Sequence, residues 1–133
     1  RASKLFNEAK QIRKIKSELP NSFAETLVTH MKRKKFTVEK LSEHSNVGAK
    51  TIQRMRSDEN YQTSIGTVIA LCIGLQLHPL LSQDLIQKAG YVFKNTEEHI
   101  AYQLLLASCY KNSIHECNEM LKSNNMSLLG KEE

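Results

Sequence analysis

Apolar residues recur at helical spacing along almost the whole chain, and no segment alternates apolar and polar residues over the length of a strand. The opening segment shows the pattern most simply. Its apolar positions are Leu5, Ala9, Ile12, Ile15 and Leu19. Pro20 interrupts the pattern, because proline cannot continue a helix. The pattern therefore predicts an all-α chain that begins with an amphipathic leading helix over residues 1–20.

A second helix is expected directly after this proline. Ser22 and Glu25 have the spacing of a capping box, in which each side chain bonds the backbone N–H group of the other residue. The apolar positions that follow lie on one face of a helix. They are Phe23, Leu27 and Met31. The run Lys32–Lys35 ends the segment with four cations that suit the negative end of a helix dipole.

Residues 37–58 predict two short helices joined by a three-residue turn. Thr37 is a suitable N-cap for the first helix, which would bury Val38 and Leu41. Asn46 lies where the chain must turn sharply, and asparagine tolerates the left-handed conformation better than most residues. Val47 would then fill the corner between the two helices.

The second of these helices is expected over residues 49–57, with Ile52 and Met55 facing inward. The opposite side carries polar and cationic residues. They are Lys50, Gln53, Arg54 and Ser57. This layout is typical of a helix-turn-helix, a unit that places its second helix in the major groove of DNA.

Two more helices are predicted after the polar loop 58–63. Ser64 would cap the first, with Ile65, Val68, Ile69 and Cys72 facing inward. Pro79 would open the second, and Gly90 would end it. The inward positions of this second helix are Leu81, Leu85 and Ile86.

The tail 94–133 predicts a helical hairpin. Asn95–Glu98 and Ser113–Glu116 each have capping-box spacing, so each is expected to start a helix. Apolar residues lie on more than one side of the first of these helices, which indicates cover by the body of the domain or by a second subunit. The chain from Asn124 onward is expected to form a frayed end.

The block from about residue 22 to 93 resembles the Cro/lambda-repressor-like (XRE-type) helix-turn-helix family of bacterial and phage regulators. The resemblance rests on Thr37, Leu41, the turn Asn46–Gly48 and Thr51–Ile52, together with the run TVIALCIGLQLHPLLSQDLIQKAG. It implies an all-α, five-helix domain over residues 21–93 that binds double-stranded DNA. By matching position, it implies that bases are read by Ala49, Lys50, Gln53 and Arg54. It implies backbone contacts from Thr37, Lys40, Thr51 and the loop near Asn60.

The chain also departs from the family pattern. Val38 stands where the family often has Gln, and Asn46 where it often has Gly. Met31 and Arg56 occupy the positions at which the family often pairs Arg with Glu. Val38 and the lost Arg–Glu pair favour an alternative, in which the same unit is a protein-interaction module. A further alternative is the regulatory end of a larger protein.

Charge is unevenly distributed between the two halves of the chain. Residues 1–56 hold 14 Lys/Arg and 5 Asp/Glu, a balance of +9, whereas residues 57–133 hold 5 and 9, a balance of −4. A basic half attracts polyanions, although it is equally compatible with a solvated face. Lys34, within the cationic run, is a candidate phosphate contact.

Nothing in the sequence points to catalysis, a cofactor or a metal. Cys72, Cys109 and Cys117 are odd in number and lack C-x-x-C spacing, which suits a reducing cytosol. A grouping of Cys109, His115 and Cys117 is conceivable, but packing and surface positions explain these residues as well. The longest apolar run, Val68–Leu75, is too short to span a bilayer.

The sequence thus predicts a DNA-binding transcriptional regulator that inserts the helix 49–57 in the major groove. A homodimer is expected, held chiefly by the tail hairpin through Leu104, Leu105, Ile114 and Leu121. The chain starts at Arg1 rather than Met, which is compatible with a fragment that lacks an upstream domain.

Overall fold

A computed structural model describes residues 2–130, which form eight helices and no strand. The predicted all-α class is confirmed. The helices are α1 (Ala2–Ser17), α2 (Phe23–Lys34), α3 (Val38–Ser45), α4 (Ala49–Ser57), α5 (Ile65–Gly74), α6 (Pro79–Lys88), α7 (Glu97–Ser108) and α8 (Ile114–Ser123). Within the described range, no helix is both long and apolar enough to cross a membrane.

Side-chain caps account for most of the helix starts. The hydroxyl groups of Ser22, Thr37, Ser64, Thr96 and Ser113 each accept a backbone N–H from the third residue beyond. The capping box predicted at Ser113 is complete, because the Ser113 N–H also donates to Glu116 Oε1 at 2.9 Å.

The other two predicted boxes differ from expectation. At α2 only half of the box forms, since the Ser22 hydroxyl, and not its N–H, bonds the Glu25 carboxylate at 3.1 Å. At α7 the box predicted at Asn95–Glu98 is wrong, and Thr96 is the N-cap. His99 Nδ1 accepts the Lys94 N–H at 2.8 Å, so a histidine makes the backward contact and the helix starts one residue later.

Helix α5 lies at the centre of the molecule. Every residue from Val68 to Leu75 is buried, and α5 contacts α3, α6, α7 and α8. Its closest approach is to α3, because a Cβ atom on Gly74 would lie only 2.7–2.9 Å from Ser45. The absence of a side chain at Gly74 therefore allows α3, the helix before the Asn46 turn, to pack directly on the core.

Helix α1 is the least anchored element. None of its residues, all of which the structure describes, is buried, and its main contact is with α6. Ile12 and Ile15 are half-buried, as is Leu19 just beyond the helix, whereas Leu5 is 63% exposed. The apolar positions of α1 are therefore covered only in its second half, because no neighbouring element covers Leu5 and Ala9.

The tail hairpin α7–α8 packs on α5 and α6 of the same chain. Leu105, Ile114 and Leu121 are buried there, so the prediction that they hold a dimer is wrong. They instead cover the central helix α5. Only Leu104, of the four residues assigned to that interface, remains largely exposed, at 62%.

The described part of the segment after α8, residues 124–130, contacts the rest of the chain, which contradicts the prediction of a frayed end there. Residues 131–133, which the same prediction includes, lie outside the described residues. Leu129 is buried at 1% exposure. Its N–H donates to Asn118 Oδ1 at 2.8 Å, and its carbonyl accepts from Asn118 Nδ2 at 3.1 Å. The signal for this contact was present in the sequence, since Asn118 falls on the inward stripe of α8 with Ile114, Cys117 and Leu121.

Candidate nucleic-acid interface

The turn between α3 and α4 is held by a dense set of short-range hydrogen bonds. Asn46 adopts the predicted left-handed conformation, with φ of 62°. The Ser42 hydroxyl donates to the Val47 carbonyl at 2.6 Å, and the Val47 N–H donates to Ser45 Oγ at 3.2 Å. Val47 itself is buried at 3% exposure, as predicted. These contacts fix the angle between the two helices.

The turn is also contacted by the C-terminal segment. Asn46 Nδ2 donates to the Leu129 carbonyl at 3.2 Å. Gly130, with φ of 89°, lies so close to Asn46 that a Cβ atom at Gly130 would collide with the Asn46 carbonyl oxygen. Residues 129–130 therefore form a strap over the α3–α4 turn, a long-range contact that the sequence pattern did not reveal.

Helix α4 has a buried side and an exposed side, in the phase that the sequence predicted. Ile52 and Met55 are buried at 0% and 1% exposure and contribute to the core. The predicted outward residues are all exposed. They are Lys50, Gln53, Arg54 and Ser57. Ala49 differs from these, since it is half-buried and packs against the core.

Arg54 has an aromatic partner that the sequence reading missed. Its guanidinium lies over the ring of Tyr61, 4.3 Å from the ring centroid. The loop that carries Tyr61 is organised by Asp58, which accepts the N–H of Asn60 on its carboxylate at 2.9 Å and the N–H of Tyr61 on its carbonyl at 3.1 Å. A cation–π contact of this kind restricts the long arginine side chain without neutralising its charge.

The residues assigned to phosphate contacts lie in two separate environments. Lys40 is exposed near the start of α3, with its ammonium 4.6 Å from the centroid of Phe36, and exposed Thr37 caps the same helix. Asn60 is exposed in the loop after α4, and Thr51 is half-buried on α4. These four residues are on or beside the α3–α4 unit.

Lys34 is in the second environment. Its ammonium donates to the carbonyl of Gln76, just beyond the end of α5, at 3.1 Å. Partial burial, followed by the nearby charges of Arg33 and Lys111, lowers the pKa of Lys34. This side chain therefore satisfies a free carbonyl group at a helix end, a role that accounts for its position without DNA.

His30 is buried on α2, close enough to α6 for the charges of Asp84 and Lys88 to act on it. Burial, and then the charge of Arg33, lower the pKa of His30 to about 4, although Asp84 opposes the shift. The Arg33 guanidinium donates to His30 Nδ1 at 3.1 Å, which requires the neutral ring. Asp84 pairs instead with Lys88 at 2.9 Å, and Lys88 also donates to the Pro20 carbonyl at 2.7 Å. These contacts hold α6 against the start of α2.

The cysteines and histidines do not form a reactive or metal-binding group in the part of the chain that the structure describes. Burial raises the pKa of Cys72 to about 12 and that of Cys117 to about 11, so both thiols stay protonated near neutral pH. No cluster of three or more His, Cys, Asp or Glu side chains with metal-binding geometry occurs among residues 2–130.

Comparison with models of known protein families, with curated proteins and with solved structures gave no match. The positions at which the Cro-like resemblance expects an Arg–Glu pair hold Met31, which is buried, and Arg56, which is half-buried. The carbon side chain of Met31 needs no partner charge in the core.

Proposed function

We propose that the chain is a sequence-specific DNA-binding regulator that inserts α4 in the major groove. The observation that carries this proposal is the exposed row Lys50, Gln53 and Arg54 on a short helix whose opposite side is anchored in the core. A helix that is immobile on one side and polar on the other can present several side chains to base edges in one register.

The side chains in this row have the chemistry needed for base recognition. Lys50 and Arg54 can donate to O6 and N7 of guanine, and Gln53 can form paired hydrogen bonds with N6 and N7 of adenine. Tyr61 limits the positions that Arg54 can adopt before DNA arrives. Less conformational entropy is then lost on binding.

Phosphate contacts are assigned to the surface around the same two helices. The N-terminal end of α3 offers Thr37 and Lys40 together with the positive end of its helix dipole. Thr51 and Asn60 supply further polar groups at the other edge. Of the residues assigned to phosphate contacts, Lys34 has the least support, because its ammonium already donates to the Gln76 carbonyl. Of the residues assigned to base reading, Ala49 is half-buried and can offer only its methyl group to a thymine.

Membership of the Cro/lambda-repressor-like family is part of the proposal, with α2–α6 as its five helices. Support comes from the Thr37 cap, from the turn at Asn46 and from the buried Ile52, all at positions on which the resemblance rests. The basic half of the chain, residues 1–56, contains α3 and α4, which supports an anionic ligand.

A duplex-binding titration tests the proposal. A binding sequence is first selected from a random duplex library, and affinity is then measured by fluorescence anisotropy at several salt concentrations. With about 5 phosphate contacts, the log–log slope of affinity against salt should be near −4 to −5. No binding at low salt, or equal affinity at low and high salt, would contradict the proposal.

Substitutions separate base reading from charge. Arg54→Ala and Gln53→Ala should each weaken binding to the selected site by roughly 1–3 kcal/mol and weaken random duplex much less. Lys40→Ala should weaken both duplexes alike, and Lys122→Ala, at the end of α8, is the matched control for a lost surface cation. If Arg54→Ala and Gln53→Ala also weakened binding to both duplexes equally, α4 would not read bases.

A second candidate is a protein-interaction module that uses the same surface. Val38 is 6% exposed and carries no hydrogen-bond donor in its side chain, so it cannot replace the glutamine that often contacts phosphate in the Cro-like family. Acidic residues Asp58 and Glu59 follow α4 directly, and they would lie near any bound phosphate. The titration separates the two candidates, because a protein partner predicts no affinity for duplex.

A further inference from the structure

Two apolar surfaces on this chain lack a partner within the described residues. The first lies on α1, where residues 2–11 are all exposed and where Leu5 and Phe6 are 63% and 62% exposed. The second is a groove between α7 and α8, with Ile100, Leu104 and Met120 exposed along it. Large apolar side chains grouped on an exposed surface commonly mark an interaction site.

The two surfaces differ in shape. Leu5 and Phe6 protrude from a single helix, while the groove is concave and is lined by α7, α8 and Met126 after α8. No residue of α1 lines that groove in its own chain. An apolar helix face fitting a groove between two helices is a common mode of recognition.

The two surfaces also differ in charge. Helix α1 carries five Lys/Arg and one Glu, whereas residues 97–121 carry four Glu and one Lys. Glu97 lines the groove, and Lys10 lies one helical turn beyond Phe6 on the same face of α1. A basic apolar helix and an acidic apolar groove are therefore complementary in both properties.

We propose that two copies of this chain form a dimer in which α1 of each copy docks in the α7–α8 groove of the other. Each copy has one helix and one groove, so a two-fold arrangement occupies both pairs at once and closes the assembly. Its own chain uses α1 from Glu8 onward, since Glu8 Oε2 lies 3.5 Å from His78 Nε2 and Ile12 and Ile15 pack near α6. Residues 2–7, which include Leu5 and Phe6, are thus free to reach a partner.

The dimer accounts for most of the large apolar side chains that the fold leaves exposed among the described residues, namely Leu5, Phe6, Ile100, Leu104 and Met120. Leu104 is the one residue of the interface predicted from the sequence that the fold leaves largely exposed. In the proposed dimer it lines the groove and contacts α1 of the other copy, and it does not contact Leu104 of the other copy. A helix with so few contacts in its own chain is also stabilised by docking, because short isolated helices are marginal in water. The proposal does not depend on DNA binding, since neither surface includes a residue of α4.

Light scattering coupled to gel filtration, without DNA, tests the proposal over about 1–300 µM chain. The full chain should move from monomer to dimer with rising concentration and should not grow further. Phe6→Ser and Leu104→Ser should each weaken the dimer at least tenfold, because each lesion affects both docked helices of a symmetric dimer. Val92→Ser, at a residue that is 80% exposed and lies on neither surface, is the matched control and should leave it unchanged.

Mixing the two variants gives the decisive result. A mixed dimer retains one intact pair, the helix of the Leu104→Ser copy in the groove of the Phe6→Ser copy. Both lesions fall in its other pair, where Phe6 and Leu104 would share one contact, so the second lesion costs little and the mixture should associate more tightly than either variant alone. Glu97→Lys should weaken the dimer of the full chain, and mixing it with Lys10→Glu should restore part of the loss. Circular dichroism checks that each variant remains helical.

Several outcomes would overturn the proposal. They are a monomer at every concentration, species larger than a dimer, a dimer indifferent to Phe6→Ser, and a mixture no tighter than its components. The last result would mean that Leu104 of one chain contacts Leu104 of the other chain across a two-fold axis.

Discussion

Helices α1 and α5 both carry large apolar residues at helical spacing, yet α5 is mostly buried and α1 lies on the surface. Seven of the ten residues of α5 are buried, whereas none of the sixteen residues of α1 is. Helix α5 contacts four other helices, and the main contact of α1 is with α6 alone. Apolar spacing therefore predicted that each helix forms, but burial depends on what the rest of the chain brings to its surface.

The contrast also separates stability from interaction. The side chains of α5 are surrounded on all sides, so they contribute to the free energy of folding. Residues 2–7 of α1 are exposed and contribute little to folding in a single copy. In the dimer that we propose, the same type of residue therefore stabilises the fold in α5 and binds a second copy in α1.

The largest expected effect comes from truncating one leucine in each helix. Leu71→Ala in α5 should lower the free energy of unfolding by about 2–5 kcal/mol, because Leu71 is fully buried and a cavity would remain. Leu5→Ala in α1 should change it by less than about 0.5 kcal/mol, since exposed positions are rarely sensitive. Denaturant unfolding, at a concentration where the chain is monomeric, measures both. Similar losses for the two variants would mean that α1 is anchored as firmly as α5.

Buried His30 is expected to make the stability of the fold depend on pH, whereas an exposed histidine is not. His30 has a folded pKa of about 4 against an ordinary value of 6.5, so the unfolded chain binds an extra proton between these two values. Stability should therefore fall as the pH drops from about 6.5 to 4, by about 3 kcal/mol from this residue.

Urea unfolding at steps across this range gives the pH dependence. His30→Gln should remove this part of it, and His115→Gln, at an exposed position of α8, is the matched control. The prediction fails if both variants lose stability with falling pH as steeply as the parent chain.

Adding a single methyl group at two positions of α5 tests how tightly its two ends are packed. Gly74→Ala would place a Cβ atom 2.7–2.9 Å from Ser45, including its backbone, so α3 would have to move. A loss of about 1–3 kcal/mol is expected, as for other overpacked sites.

Gly66→Ala is the control for this substitution, because its Cβ would meet only the ends of two side chains, the Tyr102 hydroxyl at 3.2 Å and Ser64 Oγ at 3.9 Å, and no backbone atom within 4 Å among its three nearest neighbours. Alanine also favours the helix over glycine, so this variant should be neutral or slightly stabilised. Thermal unfolding compares the two proteins, and equal melting temperatures would show that α3 is not in close contact with α5.

The strap after α8, residues 129–130, is anchored more firmly than the start of α1 but less firmly than α5, since a few polar contacts hold it. Asn118→Ala removes both hydrogen bonds to Leu129 and should cost about 1–2 kcal/mol, because the Leu129 N–H loses its partner in a buried site. Faster hydrogen exchange at Leu129 and at the Asn46–Gly48 turn should accompany the loss. Asn124→Ala, which removes only an exposed bond to Met120, is the control. Unchanged exchange at the turn would mean that the strap does not stabilise it.

Most of the secondary structure could be predicted from the sequence because it is determined over short distances. The caps Thr37, Ser64 and Ser113, the left-handed Asn46 and the start of α6 at Pro79 were all predicted and are confirmed. The error at Asn95 came from a competing cap one residue later, since Thr96 can make the same hydrogen bond. Helix starts are predictable to within about a residue or two for this reason.

The sequence predicted which residues of α4 are exposed, but it did not predict the contacts that Arg54 and Lys34 make with other parts of the chain. The inward positions Ile52 and Met55 set which side of α4 faces the solvent, and this follows from helical spacing alone. The contact of Arg54 with Tyr61 depends on the path of the loop between them, and the bond of Lys34 to Gln76 joins residues 42 positions apart. Neither contact has a local signature.

The sequence by itself determined where most of the helices begin, and which residues of α3 and α4 face inward, because capping and helical spacing act within a few residues. Only the tertiary structure decided that α5 is covered on all sides, that α1 is not, and that the C-terminal segment closes over the α3–α4 turn. The Asn46–Leu129 hydrogen bond spans 83 positions of the chain. Contacts at such a separation depend on the packing of all the elements between them, and that packing is not encoded in any single segment.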